Sequence, residues 1–238
     1  FLVSIGLASL AGGLGFMMLS RDVGVSKVGK SPVGTGRAIS SLIQNSRFVL
    51  IILFCAIPAK IILTGFLYLF VPIYLASLEA SQSEIGRIMM LYSLIIIPVS
   101  PLASSFADRV NRNLAIVIGA TIMSGIVLLG LYQSASVAAV LAVVAALGVV
   151  HAFIKAPLIV AAMEAAEQSP DISRTSALSL LRTSERIGSV IGPVLVAAML
   201  VQLDYQTTAA ILGVAISVVG IVMALISLFG QKQEVADA

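Results

Sequence analysis

Four groups of ionisable side chains stand in or beside otherwise apolar sequence, and each could do chemistry that an apolar run cannot. Lys60 is alone in the run Phe48–Ala76. His151 and Lys155 lie four apart in Val137–Met163, so a helix puts them on one face. Arg182, Glu185 and Arg186 precede the glycine-rich stretch Gly188–Pro193, and Asp108, Arg109 and Arg112 form a charged island within Ser104–Asn113. A charge at the centre of a membrane span costs roughly 2.5–3.5 kcal/mol on insertion scales, so such residues need a reason. An ammonium at Lys60 attracts an anion or meets a carboxylate; otherwise it snorkels to an interface or forms a structural pair. His151 has a ring that titrates near neutral pH and suits a proton relay, or it is a polar ring bonded between helices. Lys155, further along the same run, either lines that path or snorkels. With Arg182, Glu185 and Arg186 read as the start of their span, no acid lies deep in the bundle. Lys60, His151 and Lys155 then make a positive cavity, and a small anionic or carboxylate-bearing substrate is the expectation.

No His-Glu-x-x-His, Gly-x-Ser-x-Gly or clustered His/Cys/carboxylate pattern occurs, so neither an enzyme nor a metal or cofactor site is expected.

The elements that must hold these residues follow from composition. Hydrophobic residues make up 59% of the chain and charged ones 11%. Mean hydropathy is +1.11. Soluble domains carry about 25% charged residues, so this is a membrane protein. The net charge of +3 would suggest nucleic acid in a soluble protein. Here the basic residues cluster between apolar runs, where they meet the membrane surface and set topology; no nucleic-acid partner is expected. The single cysteine, Cys55, lies inside an apolar run and reads as a packing residue. Phe1 opens within an apolar run that lacks the flanks of a signal peptide, so the chain is expected to begin part-way through a longer protein.

Seven apolar runs are long enough for a hydrocarbon core of about 30 Å. They are Phe1–Leu19, Phe48–Ala76, Ile85–Phe106, Leu114–Tyr132, Val137–Met163, Leu178–Val201 and Thr207–Phe229. The fold class is all-α, a polytopic transmembrane bundle of seven spans. Pro58, Pro72, Pro98, Pro101, Pro157 and Pro193 fall inside spans and predict bends, either as hinges for rocking or as ordinary membrane-helix prolines. Ser20–Arg47 is a long basic segment; Ser169-Pro170-Asp171 marks a helix start capped by Asp171 or Ser173. If Ser20–Arg47 is cytoplasmic, alternation puts Arg109, Arg112, Arg174 and Lys232 on its side and only Arg87 opposite. The positive-inside rule then makes the C-terminus cytoplasmic, in a plasma or inner membrane.

One span, a long basic loop and six more spans resembles the major facilitator superfamily from its sixth helix to its twelfth. The island carries the closest likeness. The family's loop pattern is Gly-x-x-x-Asp-Arg-x-Gly-Arg-Arg; Asp108, Arg109 and Arg112 match it, while Ser104, Asn111 and Asn113 depart. Arg182 through Gly192-Pro193 is similar to the family's eleventh helix. The resemblance implies that residues 1–19 close an absent N-terminal half and 20–47 join the halves. Residues 48–230 would form the C-terminal six-helix half, and 231–238 a cytoplasmic tail. It also implies a secondary active transporter working by alternating access, with the N-terminal half of the same protein, the lipid bilayer and a small-molecule substrate as partners. Asp108, Arg109 and Arg112 would be one part of a cytoplasmic latch, and Arg182 and Arg186 the receiving part of the other. A Glu185–Arg182 pair within one helix would weaken that role for Arg182. The alternative is a non-transporting membrane sensor or scaffold built on the same fold.

Overall fold

The computed structural model describes residues 45–167 and 173–236, which lie within one compact unit, Thr35–Ala238. Among the described residues there are six helices and no strand: α1 Ser46–Ser77, α2 Gln82–Val110, α3 Asn113–Leu129, α4 Val137–Glu167, α5 Arg174–Gln202 and α6 Tyr205–Ala236. Five are long and apolar enough to cross a bilayer. The exception is α3, apolar but 17 residues long, or about 26 Å at helical rise. Tighter i→i−3 bonds continue it through Gly130, Leu131 and Tyr132, which accounts for the longer run Leu114–Tyr132. The expected span Phe1–Leu19 and most of Ser20–Arg47 lie outside the described residues, so the structure carries six of the seven expected runs.

Local sequence sets the helix ends. The Asn45 carboxamide caps α1 by accepting from the Phe48 N–H at 3.1 Å. Its own N–H₂ donates to the Ala165 carbonyl at 2.7 Å, tying the start of α1 to the end of α4. Ser81 and Glu84 form a reciprocal capping box on α2. Helix α2 ends at Asn111, whose φ of 50° is the left-handed conformation that asparagine tolerates. Ser173, one of the two expected caps, starts α5 by accepting from the Ser176 N–H.

Four boundaries lie four or more residues from the sequence reading, the end of α4 at Glu167 rather than Met163 among them. Helix α2 runs through Val110, so Asp108 and Arg109 occupy its last turn, and only Asn111 and Arg112 separate it from α3. Helix α5 begins at Arg174 rather than Leu178, which moves Arg182, Glu185 and Arg186 two to three turns inside it. The polar stretch after Gly230 continues as helix to Ala236. Each difference has one cause: polar residues extend a helix already nucleated by its apolar part, because each added residue gains a backbone bond.

The prolines of α1 have a visible consequence. A proline lacks an N–H and its ring crowds the carbonyl four residues back. Helix α1 widens to π geometry over Ile52–Ala56, before Pro58, and over Ile62–Phe70, before Pro72. The Ile57 N–H bonds the Ile52 carbonyl and the Val71 N–H bonds the Phe66 carbonyl, each reaching back five residues. Lys60 sits in the ordinary turn between the two stretches.

Helix α1 packs on α5, α2 on α4, and α3 on both α4 and α6. Two crossings bring backbone onto backbone. A Cβ on Gly65 would lie 2.6 Å from the Gly192 carbonyl oxygen, and one on Gly188 would lie 2.7 Å from that of Ile57. In the other crossing, a Cβ on Gly125 would lie 2.5 Å from the Gly213 oxygen. Such contacts drive association in lipid, where apolar burial offers little. The core has two layers. Phe66, Phe70, Tyr74 and Leu147 lead one, with Tyr205 stacked on Tyr74 at 5.0 Å. Phe48, Ile51, Cys55 and the small residues Ala161, Ala162 and Ala165 form the other. Outward apolar side chains such as Ile97, Leu102 and Val190 are about two-thirds exposed, as suits a bilayer.

Candidate functional site

A cavity of about 440 Å³ opens between α1, α2, α4 and α5. Its lining includes Lys60 from α1, Tyr92 and Ser100 from α2, His151 and Lys155 from α4, and Arg182 and Glu185 from α5. Lys60 lies about 20 Å along α1 from Ser46, at 1.5 Å per residue, near the helix middle. Its position depends on Gly188, whose Cβ, if present, would lie 2.9 Å from the Lys60 Cβ. The Lys60 carbonyl also accepts from the Thr64 hydroxyl at 2.8 Å within the widened turn.

Glu185 is the hub of the charged wall. Its Oε1 lies 3.8 Å from Lys60 Nζ, and its Oε2 accepts from Arg182 Nη1 at 2.8 Å. Its side chain is 11% exposed, against 26% for Lys60 and 51% for Arg182. The acid expected to be missing from the depth of the bundle is therefore present. A carboxylate for Lys60 comes from the neighbouring helix of this chain. Sequence reading missed it by placing Glu185 at a helix end; counting from the Ser173 cap would have put it three turns deep.

His151 is 4% exposed. Its Nδ1 lies 2.9 Å from the Tyr92 hydroxyl, with the rings edge to face at 5.8 Å. Its Nε2 is buried with no hydrogen-bond partner among the described residues. Tyr92 was not singled out from sequence, because an aromatic residue in an apolar run gives no signal until its neighbour is known. Lys155, one turn beyond His151, is exposed and makes no ion pair within 4 Å among the described residues. Lys60, Lys155 and Arg182 thus line one cavity with a single carboxylate, Glu185, among them, an arrangement that attracts anions and gives them hydrogen-bond donors.

The remaining singled-out residues lie elsewhere. Asp108, Arg109, Arg112 and Arg186 are exposed and make no ion pair among the described residues. Arg182 is already held by Glu185. Within the island, Asn113 is buried and donates to Glu164 at the end of α4 at 2.9 Å, a link that its departure from the family pattern did not signal. In Ser20–Arg47, Gly24-x-x-x-x-Gly29-Lys30-Ser31 has the spacing of a phosphate-binding loop. It lies outside the described residues, so no site is built on it. No group of three or more His, Cys, Asp or Glu able to hold a metal occurs among the described residues.

No curated protein matches the chain. The family model described as Major Facilitator Superfamily matches residues 49–236, from the first turn of α1 to the last residue of α6. The match takes in every helix that lines the cavity and covers well over half of the sequence. This chain belongs to the major facilitator superfamily, whose members are membrane transporters.

Proposed function

We propose that the chain is the C-terminal half of a secondary active transporter that moves a small anionic solute by alternating access. Residues 1–19 are the last helix of the N-terminal half and 20–47 the cytoplasmic connection. Residues 48–230 are the six-helix half, and 231–238 the end of a cytoplasmic C-terminus. The protein sits in a plasma or inner membrane. The observation that carries this reading is the convergence of Lys60, His151 and Lys155, from two helices, on one cavity. Lys60 and Lys155 bind the anionic group, and His151 belongs to the same substrate or proton path. Family membership supplies the transport class.

The latch is the second part of the proposal. Asp108, Arg109, Arg112 and Arg186 are exposed without ion pairs here, which fits contacts made with the other half. An acid facing a helix N-terminus and an arginine gains charge-assisted hydrogen bonds that hold one side closed. Arg182 has a weaker part in it, since its guanidinium is bonded to Glu185.

The test uses the full-length protein in proteoliposomes, loaded with labelled lactate, succinate or inorganic phosphate. Lys60→Ala is expected to abolish binding and uptake. Asp108→Asn is expected to slow uptake at least ten-fold, on the order of the loss of one charge-assisted bond, with binding unchanged. Wild-type uptake and binding in Lys60→Ala would return Lys60 to a structural role, and a normal rate in Asp108→Asn would remove the latch.

A further inference from the structure

The two oxygens of Glu185 are held unequally. Arg182 is three residues away on the same helix and donates at 2.8 Å, so that contact moves with Glu185 whatever α1 does. Lys60 comes from another helix, and its nitrogen lies 3.8 Å away, beyond hydrogen-bond length. Lys60 also keeps a quarter of its side chain exposed and lines the cavity. The carboxylate is therefore anchored at one oxygen and loosely engaged at the other, and the loose partner is a cation midway along α1.

We propose that Glu185 is a resident counter-ion that competes with the anionic substrate for Lys60. This rests on the anionic-substrate reading and adds the device that governs release. An arriving anion takes Lys60, with Lys155 on the facing wall as its second cation, and Glu185 falls back on Arg182 alone. When the anion leaves, Glu185 takes Lys60 again, so Lys60 is not left without a counter-ion. An ammonium about three-quarters out of solvent is more costly to leave unpaired than to hold against a carboxylate. The competition weakens substrate binding and speeds release, as a carrier that must let go of its cargo requires.

The prediction is a gain rather than a loss. In the full-length protein in detergent micelles, binding of lactate, succinate and inorganic phosphate is titrated calorimetrically. Glu185→Gln keeps the shape and can still accept from Arg182, but no longer competes as a charge. It is expected to tighten Lys60-dependent binding about five-fold, the upper range for a partly exposed ion pair. Glu185→Asp, one methylene shorter and drawn back from Lys60, shifts the same way by a smaller factor and decides the matter if the glutamine variant does not fold. In Lys60→Gln/Glu185→Gln, binding stays as weak as in Lys60→Gln alone. Equal or weaker binding in the Glu185 variants, with binding still lost in Lys60→Gln, overturns the competition and leaves the anionic reading standing. If none of the three anions binds in a Lys60-dependent way, both fall.

Discussion

The α3–α6 and α1–α5 crossings use the same packing device to different ends. In each, glycine lets one helix backbone touch another. Around the α3–α6 crossing no Asp, Glu, Lys, Arg or His occurs between Leu114 and Leu129 or between Gln206 and Phe229, and α3 runs as ordinary α-helix from Asn113 to Leu129. Around the α1–α5 crossing lie Lys60, Arg182 and Glu185, and α1 widens to π geometry on both sides of Lys60. Such turns are rare and concentrate at functional sites. Close packing by itself therefore does not mark the site. What marks it is close packing combined with an interhelical ion pair and a backbone that departs from regular geometry. On this comparison the first crossing reads as a fixed joint and the second, with its Lys60–Glu185 pair, as one whose contacts can change.

The largest effect should come from the fixed joint. Gly125→Val places its Cβ 2.5 Å from the Gly213 carbonyl oxygen, a backbone atom that cannot rotate away. The helices must part. Overpacking costs about 1–3 kcal/mol and occasionally more, and a branched side chain at such a distance belongs at the upper end. The expected result is little monodisperse protein and a clear fall in melting temperature. Wild-type melting would show that α3 and α6 do not meet there.

A gentler pair of substitutions separates the two crossings. Gly213→Ala sets a Cβ 2.6 Å from the Gly125 oxygen, and Gly188→Ala sets one 2.7 Å from the Ile57 oxygen and 2.9 Å from the Lys60 Cβ. Both should lose stability in the range of about 1–3 kcal/mol. Transport per folded molecule should differ. Gly213→Ala retains it, whereas Gly188→Ala loses several-fold, because α1 can relieve the clash only by moving Lys60 relative to Glu185. Uptake normalised to folded protein reads this directly, and equal losses in the two variants would erase the distinction between joint and site.

Much of this is legible in the sequence. The apolar runs gave the helices from Ser46 onward, since bilayer thickness fixes their length. Asp108, Arg109 and Arg112 pointed to the family later shown by the match over residues 49–236. Lys60, His151 and Lys155 were found because an intramembrane charge is conspicuous, and the structure brings all three to one cavity. Glu185 was lost because hydropathy places a helix end where the apolar run ends, while the backbone begins at the Ser173 cap. Tyr92 was lost for another reason. A hydroxyl on an aromatic ring gives no periodic signal, and only the approach of α4 to α2 supplies its partner, His151. The π stretches were invisible as well: prolines at 58 and 72 predict disturbance, but not whether the helix kinks or widens.

The smallest effect belongs to the link between the two crossings. Leu203 and Asp204 join α5 of one to α6 of the other, and Asp204 lies outside both helices. The Thr207 side chain and its backbone N–H, the latter at 3.0 Å from Oδ2, hold the Asp204 carboxyl below its usual range. A carboxylate whose acidity is greater in the folded state than in the unfolded one stabilises the fold at pH above its unfolded value, near 4. That contribution disappears as the pH falls through the lower folded value. Asp204 should therefore be indifferent between pH 7 and pH 5 and should matter only in the acid range. Asparagine caps a helix nearly as well as aspartate, so Asp204→Asn should melt with wild type at pH 7 and decline less steeply below pH 4. A variant that already loses stability at pH 7 would mean that the charge, and not the cap alone, holds α5 and α6 together. The link would then count with the α1–α5 crossing, as a place where charge and packing act together, rather than with the apolar joint that it adjoins.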